Sequence, residues 1–308
     1  MSFLFTALPF SRSKAWWIRI FDFPRAQLAV LSLISIVLIL VFPSERFDLN
    51  FTLISLLVAT FLYQSSHVYR FTPFFRKEVP RVKEGEHHFS ILQTNVRMDN
   101  KKVSRLKKHI HRYKPDIISI NEPDHWWASQ LEDLEEHYPY SIKKPLDNTY
   151  GMMLYSKHPL KNTEINFLVV DGVPSFYATV ELPTGKVFDL HCIHPEPPRP
   201  GAPTDERDTE ILMIGQRVKK SDNPAVIVGD LNDVAWSYTT LRFKKFAEVK
   251  DPRRGRGLYN TYNAFIPMFR YPLDHFFFTK HFGLKRMRKL RSIGSDHFPM
   301  FIHLVLKD

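Results

Sequence analysis

The chain is nearly devoid of cysteine. Among its 308 residues, Cys192 is the single cysteine. This excludes an intramolecular disulfide and a zinc site built mainly from thiolates. Cys192 lies inside an apolar run, where a lone cysteine is usually a small core residue. The cysteine content is therefore compatible with either face of a membrane and assigns no compartment.

Acidic residues are scarce relative to basic ones. The sequence has 32 Asp and Glu against 43 Lys and Arg, a formal net charge of +11, and a pI near 9.6. Such a surplus favours anionic partners, namely nucleic acid, acidic lipid headgroups or phosphorylated small molecules, and does not choose among them. A positive flank beside a membrane explains the same charge equally well.

Charge is missing altogether from two stretches near the N-terminus. Residues 26–42 carry none, and a second apolar run extends from about 49 to 63, after a polar turn at 43–46. A helix needs about 20 mostly apolar residues to cross a bilayer, and the first run with its flanks nearly reaches that length. The shorter second run fits a tilted span, a re-entrant segment or a buried helix. Two core helices of a soluble domain are the alternative, whereas a cleaved signal peptide fits poorly because no clear cleavage site separates the two runs.

These runs predict the organisation of the chain. We predict an aromatic and basic interfacial segment at 1–25, two membrane helices within 26–66, a Pro-punctuated linker at 67–86 and a folded domain at 87–308. Aromatic rings and long cationic chains suit the headgroup region. Lys and Arg are concentrated on both flanks of the hairpin, so the positive-inside rule predicts a multi-pass cell-membrane protein with both flanks in the cytoplasm. A transporter or channel subunit is disfavoured because neither span carries a charge.

Beyond residue 87, short apolar runs alternate with turns. Helical spacing predicts helices at 103–113 and at about 205–219. Many strands with few helices predict packed sheets flanked by helices, an α/β sandwich rather than a doubly wound sheet. The basic segment 285–291 is interpreted as a solvated strand or loop, or else as a surface facing an anionic substrate. The predicted strands are 89–96, 117–120, 152–155, 177–182, 187–193, 225–228, 276–278 and 301–306.

Polar side chains with potential chemistry stand at the ends of these strands, where a rigid element holds a side chain open to a ligand. Alone, each has an ordinary explanation, such as a turn former, a surface carboxylate or a structural histidine. Together they are the groups that suit a hard cation and a phosphate. His191 is excluded, because three residues along a strand place it on the face opposite His194. The residues are Asn95, Glu122, His194, Asp230, Asn232, Asp274, Asp296 and His297.

In this order and spacing the residues resemble the endonuclease/exonuclease/phosphatase superfamily. The most specific pieces are Gly-Asp-Leu-Asn at 229–232 and Gly-Ser-Asp-His at 294–297, and the similarity covers about residues 87–308. Segments 151–157 and 236–237 are also similar to bacterial members with N-terminal membrane segments. One departure is Asn121, where many members carry Gln. The resemblance implies a four-layer α/β sandwich of two packed, mainly antiparallel sheets flanked by helices, preceded here by a transmembrane helical hairpin.

The resemblance also implies a magnesium-dependent phosphoric ester hydrolase of nuclease, phosphatase or phosphodiesterase type, with Mn²⁺ as an alternative metal. Oxygen ligands suit Mg²⁺, which keeps several waters and a substrate phosphate oxygen in its octahedron. Carried over residue by residue, the implied metal-site residues are Asn95, Glu122 and Asp296.

The implied catalytic residues divide the work of phosphoryl transfer. By the resemblance, Asp230 corresponds to the group that activates or orients the attacking water, and Asn232 to a hydrogen-bond donor to the phosphate. His194 and His297 resemble the imidazole pair that flanks the scissile phosphate, and Asp274 resembles the carboxylate that orients His297. Phosphoryl transfer requires charge neutralisation on the non-bridging oxygens, an in-line water and assistance to the leaving oxygen, and this set supplies each.

The substrate is an anionic phosphoester, either a diester or a monoester: nucleic acid, a lipid headgroup or a small molecule. Fold and motif do not name it, because members of one fold differ in their surrounding loops. The membrane segments favour a lipid-linked or membrane-proximal ester, and an anchored nuclease is also compatible. The alternative is a catalytically silent, membrane-tethered binding module on the same fold. The sequence argues against it, because Glu122, Asp230 and His297 are all present.

Overall fold

Two β-sheets face each other in the larger, C-terminal part of the molecule. The computed structural model describes residues 1–83, 85–199, 201 and 204–307. The strands are β1 (His88–Asn95), β2 (Ile117–Asn121), β3 (Tyr140–Lys144), β4 (Met152–Ser156), β5 (Leu160–Asn166), β6 (Ser175–Glu181), β7 (Val187–Ile193), β8 (Ala225–Asp230), β9 (Asp274–Phe278), β10 (Phe282–Lys289) and β11 (Met300–Leu306).

The helices fall into two groups along the chain. Four precede the sheets and four lie between strands in the described residues. The helices are α1 (Ser2–Ala7), α2 (Trp16–Arg19), α3 (Arg25–Val41), α4 (Phe47–Tyr69), α5 (Val103–Tyr113), α6 (His125–Gln130), α7 (Asp205–Lys220) and α8 (Tyr238–Phe246).

The strand order brings two parallel pairs to the middle of the sandwich. The first sheet has the order β10-β11-β1-β2-β4-β3 and the second β5-β6-β7-β8-β9. β1 and β2 are parallel, as are β7 and β8, and the other neighbours are antiparallel. The carboxyl ends of parallel strands lie at the same sheet edge, so Asn95 pairs with Asn121 in the first sheet and Ile193 with Gly229 in the second.

Among the described residues the hydrophobic core has four clusters, three of which define the four layers, while the fourth surrounds Phe71 and Trp236. Between the sheets, side chains such as Phe89 and Phe188 stack with ring centroids 4.3 Å apart. On the outer face of the first sheet, Leu106 and Ile110 of α5 pack against strand residues. On the outer face of the second sheet, residues of α7 and α8 do the same. The predicted α/β sandwich with mainly antiparallel sheets is confirmed.

β3 and β5 were missed by the sequence-based prediction, and β10 was predicted only as one alternative, a basic strand or loop at 285–291. Each lies at an edge of its sheet. An edge strand needs less apolar surface and is often charged, because charge prevents pairing with another chain. Most of β5 is exposed, so no apolar run marks it. The basic segment 285–291 proves to be mostly β10, with Arg286, Arg288 and Lys289 exposed. Helices α6 and α8 were also missed.

The N-terminal helices are apolar, and their lengths differ from the prediction. α4 is longer than the run at 49–63, because the helix begins at Phe47 and continues through residues 64–69, most of which are polar. Among the described residues, α4 is the one helix that is by itself long and apolar enough to cross a membrane. Segments Trp16–Asp22 and Arg25–Val41 meet at 74° and pass the same test as a bent pair.

The segment predicted as a linker packs on the sandwich. Phe71 is buried, with its ring centroid 5.8 Å from that of Trp236. Val79 is fully buried among the residues between the sheets. Glu78 forms an ion pair with Lys244 at 2.9 Å. The chain is therefore buried against the folded domain already before residue 87, where the sequence analysis places the start of that domain.

Candidate active site

The strand ends at one edge of the two sheets bring the predicted residues into one region. Asn95, at the end of β1, connects the sheets: its Nδ2 donates to Glu122 Oε1 at 2.7 Å and to Asp230 Oδ2 at 3.2 Å. Its Oδ1 accepts from the backbone N–H of Arg97 at 2.9 Å. Asn95 therefore orients Glu122 in this structure, and its amide oxygen is engaged elsewhere.

His297 is held between two carboxylates. Its Nδ1 lies 2.8 Å from Asp274 Oδ2, and its Nε2 lies 3.4 Å from Asp230 Oδ2. Burial opposes a charge on the imidazole, but Asp274 and Asp230 outweigh it and raise the pKa of His297. Burial also opposes the charge on Asp274, but the neighbouring His297 outweighs this effect and lowers the pKa of Asp274. The pair is therefore an imidazolium bonded to a carboxylate.

Asp230 stands in front of this pair with a different electrostatic character. Burial raises its pKa, His297 opposes the shift, and Asp274 adds to it. A buried carboxylate with a raised pKa binds a proton more readily than an exposed one, which suits a general base.

His194 is the second imidazole of the site and is neutral. Its Nε2 lies 3.9 Å from Glu122 Oε1 and 4.0 Å from Asp230 Oδ2, while its buried Nδ1 has no hydrogen-bond partner among the described residues. Burial, and then the charge on His297, lowers the pKa of His194 to about 3. His191 lies on the other face of β7, with its ring 5.2 Å from that of Tyr177.

The Gly-Asp-Leu-Asn turn after β8 depends on unusual backbone conformations. Gly229 has φ +147°, and a Cβ there would come within 1.9 Å of the Ile193 carbonyl oxygen on β7. Asn232 has φ +49°, a conformation that costs energy for a residue with a side chain. Its N–H donates to Asp230 Oδ1 at 3.0 Å, and its Nδ2 donates to the Pro195 carbonyl at 3.0 Å. One hydrogen of this amide remains for a ligand.

Six of the eight predicted residues line one cavity of about 780 Å³. Asn95 and Asp274 lie behind them. We refer to these six as the floor: Glu122, His194, Asp230, Asn232, Asp296 and His297.

The oxygen donors of the floor fit a hard divalent cation. Glu122, Asp230 and Asp296 all face the cavity. Burial raises the pKa of Glu122, Asn95 and His297 oppose the shift, and Asp296 reinforces it, so negative charge is crowded there. Ligand atoms of Asp230, Asp274 and His297 also lie within 4.8 Å of one another. A cation among those three would disrupt the Asp274–His297 hydrogen bond, so the cavity-facing carboxylates fit better.

A second part of the cavity lining was missed by sequence reasoning. It is largely apolar and includes Trp16, Ile20 and Phe23 from the N-terminal segment, with Ile266, Phe269 and Tyr271 from the loop before β9. We refer to these six residues as the apolar wall. The aromatic character of residues 1–25 was visible in the sequence, but it predicted contact with lipid headgroups and gave no sign of contact with the site.

Comparison with known proteins supports the fold independently. The model of the Endonuclease/Exonuclease/phosphatase family matches residues 92–297. The chain is similar in structure to D. rerio TDP2 complexed with a single strand DNA product, with TM-score 0.58, 17% identity, and coverage of 71% of this chain and 99% of that one. It is similar to the human Nocturnin catalytic domain with a bound sulfate anion, with TM-score 0.60, 16% identity, and coverage of 77% and 100%.

A third similar structure is the endonuclease/exonuclease/phosphatase from Bacteroides vulgatus, with TM-score 0.58, 20% identity, and coverage of 71% of this chain and 99% of that one. At identities this low, the similarity to these structures shows a shared fold alone. A comparison with curated protein sequences finds no match.

Proposed function

This chain belongs to the Endonuclease/Exonuclease/phosphatase family, and on that premise we propose that it hydrolyses a phosphoric ester with the help of a divalent cation. The observation that carries the proposal is the position of His297, held by Asp274 at 2.8 Å and facing Asp230 at 3.4 Å on the floor of a large cavity. An imidazolium beside a carboxylate of raised pKa provides a charge for phosphate and a base for water within one hydrogen-bonding distance.

Each floor residue has a role in this reaction. Asp230 accepts a proton from the attacking water. His297, kept charged by Asp274, neutralises a non-bridging phosphate oxygen. His194, neutral and with Nε2 towards the cavity, donates one hydrogen bond to a phosphate or leaving oxygen. The remaining amide hydrogen of Asn232 supplies another.

The charge of the site explains why a cation is needed. Glu122, Asp230, Asp274 and Asp296 are four carboxylates and His297 is one imidazolium, which leaves three formal negative charges. Such a site repels an anionic ester. Glu122 and Asp296, with Asn95 orienting Glu122, would hold Mg²⁺ or Mn²⁺. The bound cation would neutralise phosphate oxygens and offset this repulsion.

We also infer that α3 and α4 anchor the protein in the cell membrane. The 23 residues of α4 span about 35 Å and the 17 of α3 about 26 Å, against about 30 Å of hydrocarbon. Apolar side chains such as Leu33, Leu40 and Phe51 are exposed along both helices. Basic residues flank the hairpin on both sides, which favours a cytoplasmic sandwich.

The hydrolase proposal is tested by turnover of two soluble model esters, bis-p-nitrophenyl phosphate and p-nitrophenyl phosphate, by the full chain in detergent. Turnover with Mg²⁺ that stops in EDTA and returns with excess Mg²⁺ is expected, and the preferred ester separates diesterase from phosphatase. Absence of turnover on both esters, with Mg²⁺ and with Mn²⁺, contradicts the proposal and favours the catalytically silent binding module.

The anchoring proposal is tested by alkaline carbonate extraction of membranes containing the full chain. Retention in the pellet is expected, because two apolar helices remain in the hydrocarbon when peripheral contacts are broken. Release into the supernatant contradicts it.

A further inference from the structure

The two sides of the cavity differ in chemistry. The floor carries carboxylates and imidazoles, while the apolar wall carries aliphatic and aromatic side chains. Of the described residues that line the cavity, none is Lys or Arg. A polyanion would therefore meet no cationic side chain of this lining other than His297 on the floor. A separate groove of about 1070 Å³ beside β10 is basic: it is lined by residues such as Arg81, Lys285 and Arg288 and shares none with the cavity.

The N-terminal half of the apolar wall is fixed to the sandwich by buried polar contacts. Trp236 donates from Nε1 to the Asp22 carbonyl at 2.7 Å. Arg19 donates to Thr239 Oγ1 at 3.0 Å and pairs with Asp22 at 3.3 Å, and Arg25 pairs with Asp22 at 2.6 Å. These buried contacts form only when the N-terminal segment lies in one position on the sandwich. Its half of the apolar wall is therefore a fixed part of the cavity.

The two halves of the wall also contact each other. The rings of Phe23 and Tyr271 meet edge to face with centroids 5.5 Å apart. Gln27, in the first turn of α3, donates to the Met268 carbonyl at 2.7 Å. The loop before β9 is thereby held beside the point where α3 begins.

The mouth of the cavity is apolar and exposed. Ile20, Ile266 and Phe269 line the cavity and are 51%, 47% and 54% exposed, and the neighbouring Met268 is 75% exposed. Exposed apolar side chains clustered around one opening indicate contact with a membrane or a ligand rather than with water. Here they lie next to α3, whose exposed apolar face continues from them.

From this arrangement, and resting on the proposed function, we propose that the substrate is a phosphoester of a membrane lipid. Its phosphate lies on the floor at His297. Its apolar chain leaves along the wall between Ile20 and Phe269 and remains in the bilayer beside α3. The N-terminal segment is then part of the substrate site as well as an anchor. Aromatic walls also stack nucleobases, but an exposed apolar mouth beside a membrane helix favours a lipid.

The proposal is tested by comparing acylated with deacylated esters. The full chain in dioleoylphosphatidylcholine nanodiscs is given dioleoyl phosphatidylglycerol or phosphatidic acid in the same discs. In parallel it is given glycerophosphoglycerol, glycerol phosphate or a single-stranded oligonucleotide in solution, with products identified by mass spectrometry. Hydrolysis of a lipid ester at least about tenfold faster than its deacylated counterpart is expected, since apolar burial contributes to binding.

Other outcomes separate the two proposals. Equal or faster turnover of a deacylated ester or of the oligonucleotide overturns the lipid proposal while the hydrolase stands. So does turnover of the p-nitrophenyl esters without any lipid product. Inactivity on every ester, p-nitrophenyl esters included, instead defeats the proposed function on which the lipid proposal rests.

Two matched variants test whether the preference for the lipid ester depends on the apolar wall. Phe269→Ser removes an aromatic ring from the wall, whereas Phe167→Ser removes one that is 44% exposed and outside the cavity. The rate ratio of lipid to deacylated ester should fall about tenfold in the first variant, relative to the second. An equal ratio in the two variants overturns the proposal. Thermal midpoints confirm that both variants fold.

Crosslinking supplies a readout that does not depend on turnover. In the Asp230→Asn full chain, phosphatidylglycerol with a diazirine in the acyl chain is irradiated in nanodiscs and the labelled peptides are mapped. Labels within 16–24 and 262–273, beyond those on α3 and α4, are expected. Labels confined to α3 and α4 show lipid around the anchor alone and overturn the proposal.

Discussion

The floor of the cavity and its apolar wall differ in how the chain builds them. The floor comes from side chains at strand ends, fixed by sheet hydrogen bonds and by links such as Asn95 between Glu122 and Asp230. The wall comes from two segments outside the sheets, joined by contacts between residues as distant as Gln27 and Met268, 241 positions apart. On the proposed function, this difference separates chemistry from selection: the floor would supply the reactive groups, and the wall would determine what can lie above them.

The largest effect is expected at the floor. Asp230→Asn removes the proton acceptor while retaining size and most hydrogen bonds, so turnover of a soluble diester should fall by about 10³-fold. Stability should not fall with it, because burial already disfavours a charge at this position. Steady-state kinetics and thermal unfolding check the two parts.

A matched control is Asp189→Asn. Asp189 is an equally buried carboxylate, on β7, that accepts hydrogen bonds from Tyr177 and Ser221 on the side away from the cavity. This variant should lose stability and keep its turnover number. Similar losses of turnover in both variants would show that the floor has no special role.

A smaller effect is expected at the wall. Arg19→Met removes one partner of the buried Asp22 carboxylate and should cost about 3 kcal/mol of stability. The loss of stability should be confined to the N-terminal segment, because Arg19 attaches this segment to the sandwich through Thr239 and Asp22. Hydrogen exchange should accelerate at residues 15–25 and remain slow in β8.

Lys14→Met is the control in the same segment. Lys14 pairs with Asp205 at 2.6 Å, but the Lys14 side chain is 68% exposed and that of Asp205 is 41% exposed, so its loss should change stability by no more than about 0.5 kcal/mol. If exchange at 15–25 were as fast in this variant as in Arg19→Met, the buried network would not be what fixes the wall.

The last effect is absent at neutral pH and lies on the reverse side of β7, away from floor and wall. Burial lowers the pKa of His191 to about 4, below its ordinary value of 6.5. Between these two values the unfolded chain binds a proton that the folded chain does not. The free energy of unfolding is therefore highest above pH 6.5, as far as His191 contributes to it. It decreases by about 1.4 kcal/mol per pH unit as pH falls from 6.5 towards 4.

Chemical unfolding of wild type and His191→Gln between pH 7 and pH 4 measures this contribution. The variant should show the shallower decline of stability in acid. Parallel curves would mean that His191 takes up its proton without cost in the folded state.

The same comparison explains what the sequence could and could not predict. A polar residue at either end of an apolar run is a local signal, and together with the family resemblance it allowed all eight floor and supporting residues, Asn95 and Asp274 included, to be named. Their individual roles remain predictions. The apolar wall has no local signal, because Trp16, Ile20 and Phe23 look like residues of a membrane interface and acquire their position through Trp236 and Thr239. The sequence-based prediction missed edge strands such as β5 for a related reason, since an exposed strand needs no apolar pattern.

The most direct test of the central claim, that the floor binds a cation for phosphoester hydrolysis, is the Mg²⁺ dependence of turnover. Glu122→Gln should require at least about tenfold more Mg²⁺ for half-maximal turnover than wild type. Glu210→Gln is the control, because burial raises the pKa of Glu210 to about 8 and this residue lies outside the cavity lining. It should match wild type. The same Mg²⁺ requirement in all three proteins would contradict the account.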